Sequence, residues 1–124
     1  MAKTIMIVDD AAVMRYMLKN LLEKAGYKVV AEVANGADAV ERYPILMPNL
    51  VTMDITMPDM DGITAVQEIM KIDPKAKIIM CSAMGQLDKV KAAVMAGAKS
   101  FLVKPLQPER VLQTVQQIIG DAAS

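Results

Sequence analysis

Thr4-Ile5-Met6-Ile7-Val8 is a continuous apolar run that stops abruptly at Asp9-Asp10, the pattern of a strand buried on both faces of a parallel sheet. From Ala12 the period changes. Val13, Met14, Met17, Leu18, Leu21, Leu22 and Ala25 recur three and four apart, which predicts an amphipathic helix that Gly26 closes. The same alternation repeats along the chain. Strands are predicted over Val29–Val33, Leu50–Met53, Ile78–Cys81 and Phe101–Val103. Helices are predicted over Gly36 to about Tyr43, Ile63–Ile72, Leu87–Ala96 with Gly97 as its cap, and Pro108–Ile119. Five strand-helix units without a long linker predict an α/β fold, an open parallel sheet covered by helices on both faces. A closed eight-stranded barrel needs about twice this length.

With 124 residues, 54% of them apolar, the chain is expected to be a single domain spanning residues 1–124. The four apolar residues Ile5–Val8 are too few for a signal-peptide core, and no apolar run approaches the roughly 18 residues of a spanning helix, so a soluble cytoplasmic protein is expected. Fourteen basic residues balance fourteen acidic ones, leaving no net field for nucleic acid or an anionic membrane; neither is expected as a partner. The absence of histidine removes Ser-His-Asp and Cys-His nucleophiles and His-ligated metals, so any acid-base or metal chemistry falls to carboxylates, hydroxyls and lysines. The lone cysteine, Cys81, sits in an apolar strand pattern and reads as a structural thiol. Twelve methionines are unusual, and Met14, Met17, Met57, Met60, Met84 and Met95 are candidates for exposure, but at helical spacing methionine reads first as core filling.

Open α/β sheets bind ligands at the carboxyl ends of their strands. There this sequence places Asp9-Asp10, Asp54, Ser82 and Lys104. Singly, each has an ordinary explanation: Asp9-Asp10 as a helix cap, Ser82 as another, Lys104 as a solvated loop residue. Together they do not, because carboxylates crowded at one rim repel by about 4 kcal/mol per pair at 4 Å and an effective dielectric of 20. A hard divalent cation with oxygen ligands compensates such a cluster, and Mg²⁺ commonly takes one or two carboxylates, waters and a phosphate oxygen. That composition points to phosphoryl chemistry, with Asp54 as acceptor and a metal, the Ser82 hydroxyl and the Lys104 ammonium stabilising the charge that develops. The dispersed glycines form no nucleotide-cradling loop, so the phosphoryl donor is another molecule.

Val8-Asp9-Asp10, the stretch Met53-Asp54-Ile55-Thr56-Met57-Pro58-Asp59-Met60-Asp61-Gly62, Ser82-Ala83 and Lys104-Pro105 resemble, in order and over the whole chain, the receiver domain of two-component response regulators. Within that family the likeness is strongest to the free-standing chemotaxis receivers. The resemblance implies a doubly wound, flavodoxin-like sheet of five parallel strands in the order 2-1-3-4-5 with five helices. It implies phosphotransfer from a histidine kinase to Asp54, and Mg²⁺ held by Asp10, Asp54 and the backbone carbonyl of Thr56, with Asp9 acting through a bound water. Ser82, Lys104 and Phe101 take the switch positions, and Lys104–Pro105 is expected to be cis. The implied partners are a chemotaxis-type sensor histidine kinase, a flagellar motor switch protein and a phosphatase, met by a monomer.

The last switch position, often a tyrosine in the family, is Phe101 here, and the two positions that tune dephosphorylation, Thr56 and Met84, are not acidic. Val90, Phe101 and Leu106 are candidate docking contacts. Because the chain stops just past the fifth predicted helix, output is expected to act in trans on a separate protein. A phosphorelay intermediate that hands its phosphoryl group to a histidine phosphotransfer protein is the nearest alternative. A phosphoaspartate-forming hydrolase is another, but such enzymes carry a second aspartate where this chain has Thr56. A flavin-binding relative is disfavoured by one Phe, three Tyr and no Trp, which leave little aromatic surface to sandwich the cofactor.

Overall fold

A computed structural model describes residues 2–123. The ten elements alternate without exception: β1 Thr4–Val8, α1 Ala12–Lys24, β2 Lys28–Val33, α2 Gly36–Leu46, β3 Leu50–Asp54, α3 Gly62–Ile72, β4 Ile78–Ser82, α4 Leu87–Ala96, β5 Ser100–Val103 and α5 Pro108–Ile119. The strands form one sheet in the order β2-β1-β3-β4-β5, and every neighbouring pair is parallel. This is the expected doubly wound arrangement. The register brings the carboxyl ends of the three central strands to a common level, with Val8 opposite Met53 and Asp54 opposite Cys81, while Ser82 lies opposite Val103 on β5.

The continuous apolar strands are explained by two cores, one on each face of the sheet. On one face Met6, Val8, Val51, Met53, Ile78 and Met80 pack against Ala39, Tyr43, Ala65, Val66, Ile69, Val90 and Ala93 from α2, α3 and α4. On the other, Ile5, Ile7, Leu50, Ile79, Cys81 and Leu102 meet Leu18 and Leu22 of α1 and Val111, Val115 and Ile119 of α5. Successive strand residues thus alternate between cores rather than between core and water. Each buried Ile, Leu or Val contributes about 1.5 to 3 kcal/mol by leaving water.

Three expectations need revision. Helix α2 runs past Tyr43 to Leu46 with Pro44 inside it, and ends where Met47 adopts a left-handed conformation (φ 42°) whose N–H donates to the Tyr43 carbonyl. Proline removes one donor but does not stop the chain so close to a helix end, where the lost bond matters least. In α1 only Leu18 and Leu22 are fully buried, while Val13 and Met17 are exposed. The early part of that apolar stripe faces the turn after β5 instead of the sheet: Met14, Met17, Leu18 and Leu21 line a cleft of about 190 Å³ with Lys104, Pro105, Leu106 and Pro108. The methionines divide. Met6, Met53, Met57 and Met80 fill the core, whereas Met17, Met47, Met84 and Met95 stand in solvent.

Candidate functional site

Two glycines let the loop after β3 pack tightly enough to build the site. A Cβ on Gly62 would lie 2.2 Å from the Asp54 carbonyl oxygen, and one on Gly36 would lie 2.5 Å from that of Met60. Both obstacles are backbone, so no side chain fits at either position. The Gly62 N–H donates to the Ile55 carbonyl (2.8 Å), and Asp61 caps α3 by accepting from the Thr64 N–H (2.8 Å), so the Asp61-Gly62 pair folds the loop back onto the end of β3.

At the carboxyl edge, Asp9 follows β1, Asp54 ends β3, Ser82 ends β4 and Lys104 follows β5. Asp9, Asp54 and Ser82 are buried, while Asp10 and Thr56 are exposed. One carboxylate oxygen from each of Asp9, Asp10 and Asp54 lies within 4.8 Å of the others. Lys104 reaches across β4 to join two of them: its Nζ donates to Asp9 Oδ2 at 3.1 Å and stands 3.4 Å from Asp54 Oδ2. The lysine is aimed by its own backbone, whose N–H donates to the Ser82 carbonyl (2.7 Å), and the Lys104–Pro105 peptide is cis as expected.

Aspartate capping does not account for the acids. The N-cap of α1 is Ala11, with no side-chain cap; Asp9 Oδ1 accepts instead from the Ala11 N–H (2.9 Å), while Arg15 Nη1 donates to the Asp9 carbonyl (2.6 Å). Nor does Ser82 cap α4, whose N-cap is Gln86.

Burial pushes the Asp54 carboxyl above its ordinary value, and the Asp9 charge adds to the shift; Lys104 opposes both but does not reverse them. For Lys104, burial alone would lower the ammonium, yet the hydrogen bond to Asp9 and the charges of Asp54 and Asp9 outweigh it and hold the group above the usual lysine range. Three carboxylates against one ammonium leave a local charge of −2, which a divalent cation matches, and the all-oxygen donor set suits Mg²⁺. Cys81, opposite Asp54 in the register, is pushed up to about 12 by burial and is no nucleophile.

Ser82 is 1% exposed at the end of β4, beside the edge strand that carries Phe101. Phe101 is 44% exposed and lines, with Leu106 and Arg110, a cleft of about 640 Å³ along β5 and α5. Leu106 is half-buried. Val90, however, belongs to the core beneath α4, so it is not a docking contact.

Gln86 was not legible as a site residue. Its Oε1 accepts from the Ala83 N–H (2.7 Å) and its Nε2 donates to Thr56 Oγ1 (3.0 Å), tying the loop after β4 to the loop after Asp54. No motif in the sequence marks a contact made across 30 residues.

The response regulator receiver domain profile matches residues 5–116. The chain is 59% identical over 118 residues to the chemotaxis protein CheY of Thermotoga maritima, covering 95% of this chain and 98% of that one. It is 60% identical over 120 residues to CheY of Bacillus subtilis, covering 97% and 100%. Among solved structures, it superposes with a TM-score of 0.90 and 39% identity on a chain of the CheX–CheY–BeF₃–Mg²⁺ complex from Borrelia burgdorferi, covering 94% of this chain and 88% of that chain.

Proposed function

This chain belongs to the response regulator receiver domain family, as a signalling module of two-component chemotaxis rather than a classical enzyme, and on that premise we propose that Asp54 is its phosphoacceptor. A carboxylate oxygen of Asp54 attacks the phosphorus of a kinase phosphohistidine; the new O–P bond forms as the P–N bond breaks, and the imidazole leaves with the electron pair and is protonated. Lys104 sits between Asp9 and Asp54, where its ammonium follows the charge onto the phosphoryl oxygens. The Ser82 hydroxyl, at the end of the neighbouring strand, is the second donor. Asp10, Asp54 and the Thr56 carbonyl would hold Mg²⁺, with Asp9 acting through a bound water. When bound, the ion supplies a positive centre that neutralises charge on the transferred group. The observation that carries this reading is the Lys104 ammonium drawn into a cluster of three carboxylates that has no capping role.

The output is a change of shape read by a separate protein. Ser82, drawn toward the phosphoryl oxygens, vacates space beside β5 into which the exposed ring of Phe101 turns, so that hydroxyl and ring act as one two-state element. The docking surface is the exposed edge of β5 with α5 and the outer face of α4, where Leu87, Val94 and Met95 are also exposed, as is Met84 in the loop before it. The kinase is of the chemotaxis type, the reader is a flagellar motor switch protein in the cytoplasm, and a phosphatase resets the signal. Relatives named for chemotaxis and matched over 98% and 100% of their length support this assignment and an output made in trans by a single receiver unit, residues 1–124. Among the described residues no helix is long and apolar enough to cross a membrane. Incubation with acetyl phosphate and Mg²⁺ tests the acceptor role: intact mass should rise by one acid-stable, base-labile phosphoryl group located on Asp54. Labelling elsewhere, or none, refutes it.

A further inference from the structure

Gln86 spans the space between the two loops that frame Asp54. Ala83 N–H can only donate, so the carbonyl end of the Gln86 amide is the end that faces it, and the NH₂ end is left for Thr56 Oγ1. The orientation of the amide is therefore fixed by chemistry. Its position also shows that Ala83 N–H, the first backbone donor after Ser82, points toward the loop that carries Thr56, two residues beyond Asp54. An incoming phosphoryl group brings oxygens that accept hydrogen bonds, and Lys104 approaches from β5, where it binds Asp9 and Asp54. The Ala83 N–H on the Thr56 side is already occupied by Gln86.

We propose that Gln86 is a latch: its side-chain amide holds Ala83 N–H and Thr56 together in the resting protein, and must swing away before a phosphoryl group on Asp54 can take the Ala83 N–H. Gln86 is a positioning residue, since it touches neither the acceptor nor the metal ligands' carboxylates. Its backbone begins α4, where its carbonyl accepts from the Val90 N–H (3.0 Å), so release of the side chain frees the first turn of the helix that faces the docking surface. The site and α4 are thus joined by one side chain. This inference rests on the assignment of Asp54 as phosphoacceptor.

The test follows uptake from acetyl phosphate, in which an Asp54 oxygen bonds to phosphorus as the bond to acetate breaks and acetate leaves with the electron pair. Gln86→Met keeps the bulk of the side chain and removes the amide, and Gln86→Ala removes both. Each should raise the maximal uptake rate roughly two- to tenfold, the range set by loss of one hydrogen bond from the resting state. Mg²⁺ affinity by calorimetry should not change, and hydrogen exchange at Ala83 N–H in the unphosphorylated protein should speed up. Gln86→Glu, which accepts from Ala83 N–H through a full charge, should slow uptake. A purely structural role would slow uptake in all three variants alike. Uptake by Gln86→Met and Gln86→Ala no faster than wild type overturns the latch while leaving the acceptor assignment intact; a wild type that takes up no phosphoryl group overturns both.

Discussion

Replacing Asp54 with asparagine should stabilise the protein when divalent cations are removed, although it destroys the proposed acceptor. The Asp54 oxygen lies within 4.8 Å of an oxygen of Asp9 and one of Asp10, and 3.4 Å from the Lys104 ammonium. With an effective dielectric of 20, each carboxylate pair at that outer limit costs about 3.5 kcal/mol, and the lysine returns about 5 kcal/mol. The balance is a net repulsion of about 2 kcal/mol carried by the Asp54 charge, before the cost of burying it. Asparagine keeps the shape and removes the charge. After allowance for screening at an open rim, the expected gain is about 1 to 2 kcal/mol, or roughly 4 to 8 °C in Tm for a chain of this size. The pH dependence has a definite sign. Because the folded-state value of Asp54 is raised, the folded protein holds its proton more tightly than the unfolded chain does. The destabilisation is therefore full above the folded value and is relieved as pH falls through it toward the ordinary carboxylate range. The advantage of the variant should be largest near neutrality and shrink on acidification. Mg²⁺ should reverse the order, since binding to the native wild type adds about 2.7 kcal/mol at a concentration one hundred times Kd. Urea denaturation of both proteins in EDTA and in saturating Mg²⁺, at neutral and acidic pH, reads all of this. An Asp54→Asn protein less stable than wild type in EDTA at neutral pH would refute the electrostatic argument.

Gly62→Ala should be strongly destabilising, by about 2 kcal/mol or more, because its Cβ would meet backbone atoms of Asp54 and Ile55 that no rotamer change can move; a variant that melts with wild type contradicts the close approach. Cys81, 2% exposed and with its thiol pushed up to about 12, should resist thiol reagents in the native protein and react at once in denaturant. Phe101→Ala should cost little stability, as its ring is 44% exposed, yet abolish most of the increase in affinity for the proposed motor switch target on beryllofluoride addition; an unchanged affinity ratio would remove Phe101 from the switch.

The alternation of elements was legible because strands buried on both faces are continuously apolar and the helices that cover them change period to 3.6. Helix ends were legible where glycine closes them and at Ile72, before Asp73-Pro74, but α2 was ended at about Tyr43, short of Pro44, a residue that a helix tolerates near its end. The acids and the lysine could be assigned to one rim because each lies at the carboxyl end of a strand and the strands all run parallel. What hydrophobic periodicity could not distinguish was an apolar residue turned inward under α4, such as Val90, from one left at the sheet edge, such as Phe101: both lie on the same side of the sheet, and only the missing neighbour of the edge strand separates them. Gln86 escaped because its role depends on where two loops meet. Net charge was also a poor guide, since the acids gather at the carboxyl edge while Lys3, Lys28, Lys77 and Lys99 stand at or just before the starts of four strands.

Transfer of label from the phosphohistidine of a chemotaxis-type kinase tests the central claim most directly. With Mg²⁺ present, wild type should draw the label from the kinase and carry it in a base-labile bond, whereas EDTA or Asp54→Asn should leave it on the kinase. Equal labelling of wild type and the Asp54→Asn protein would contradict the account.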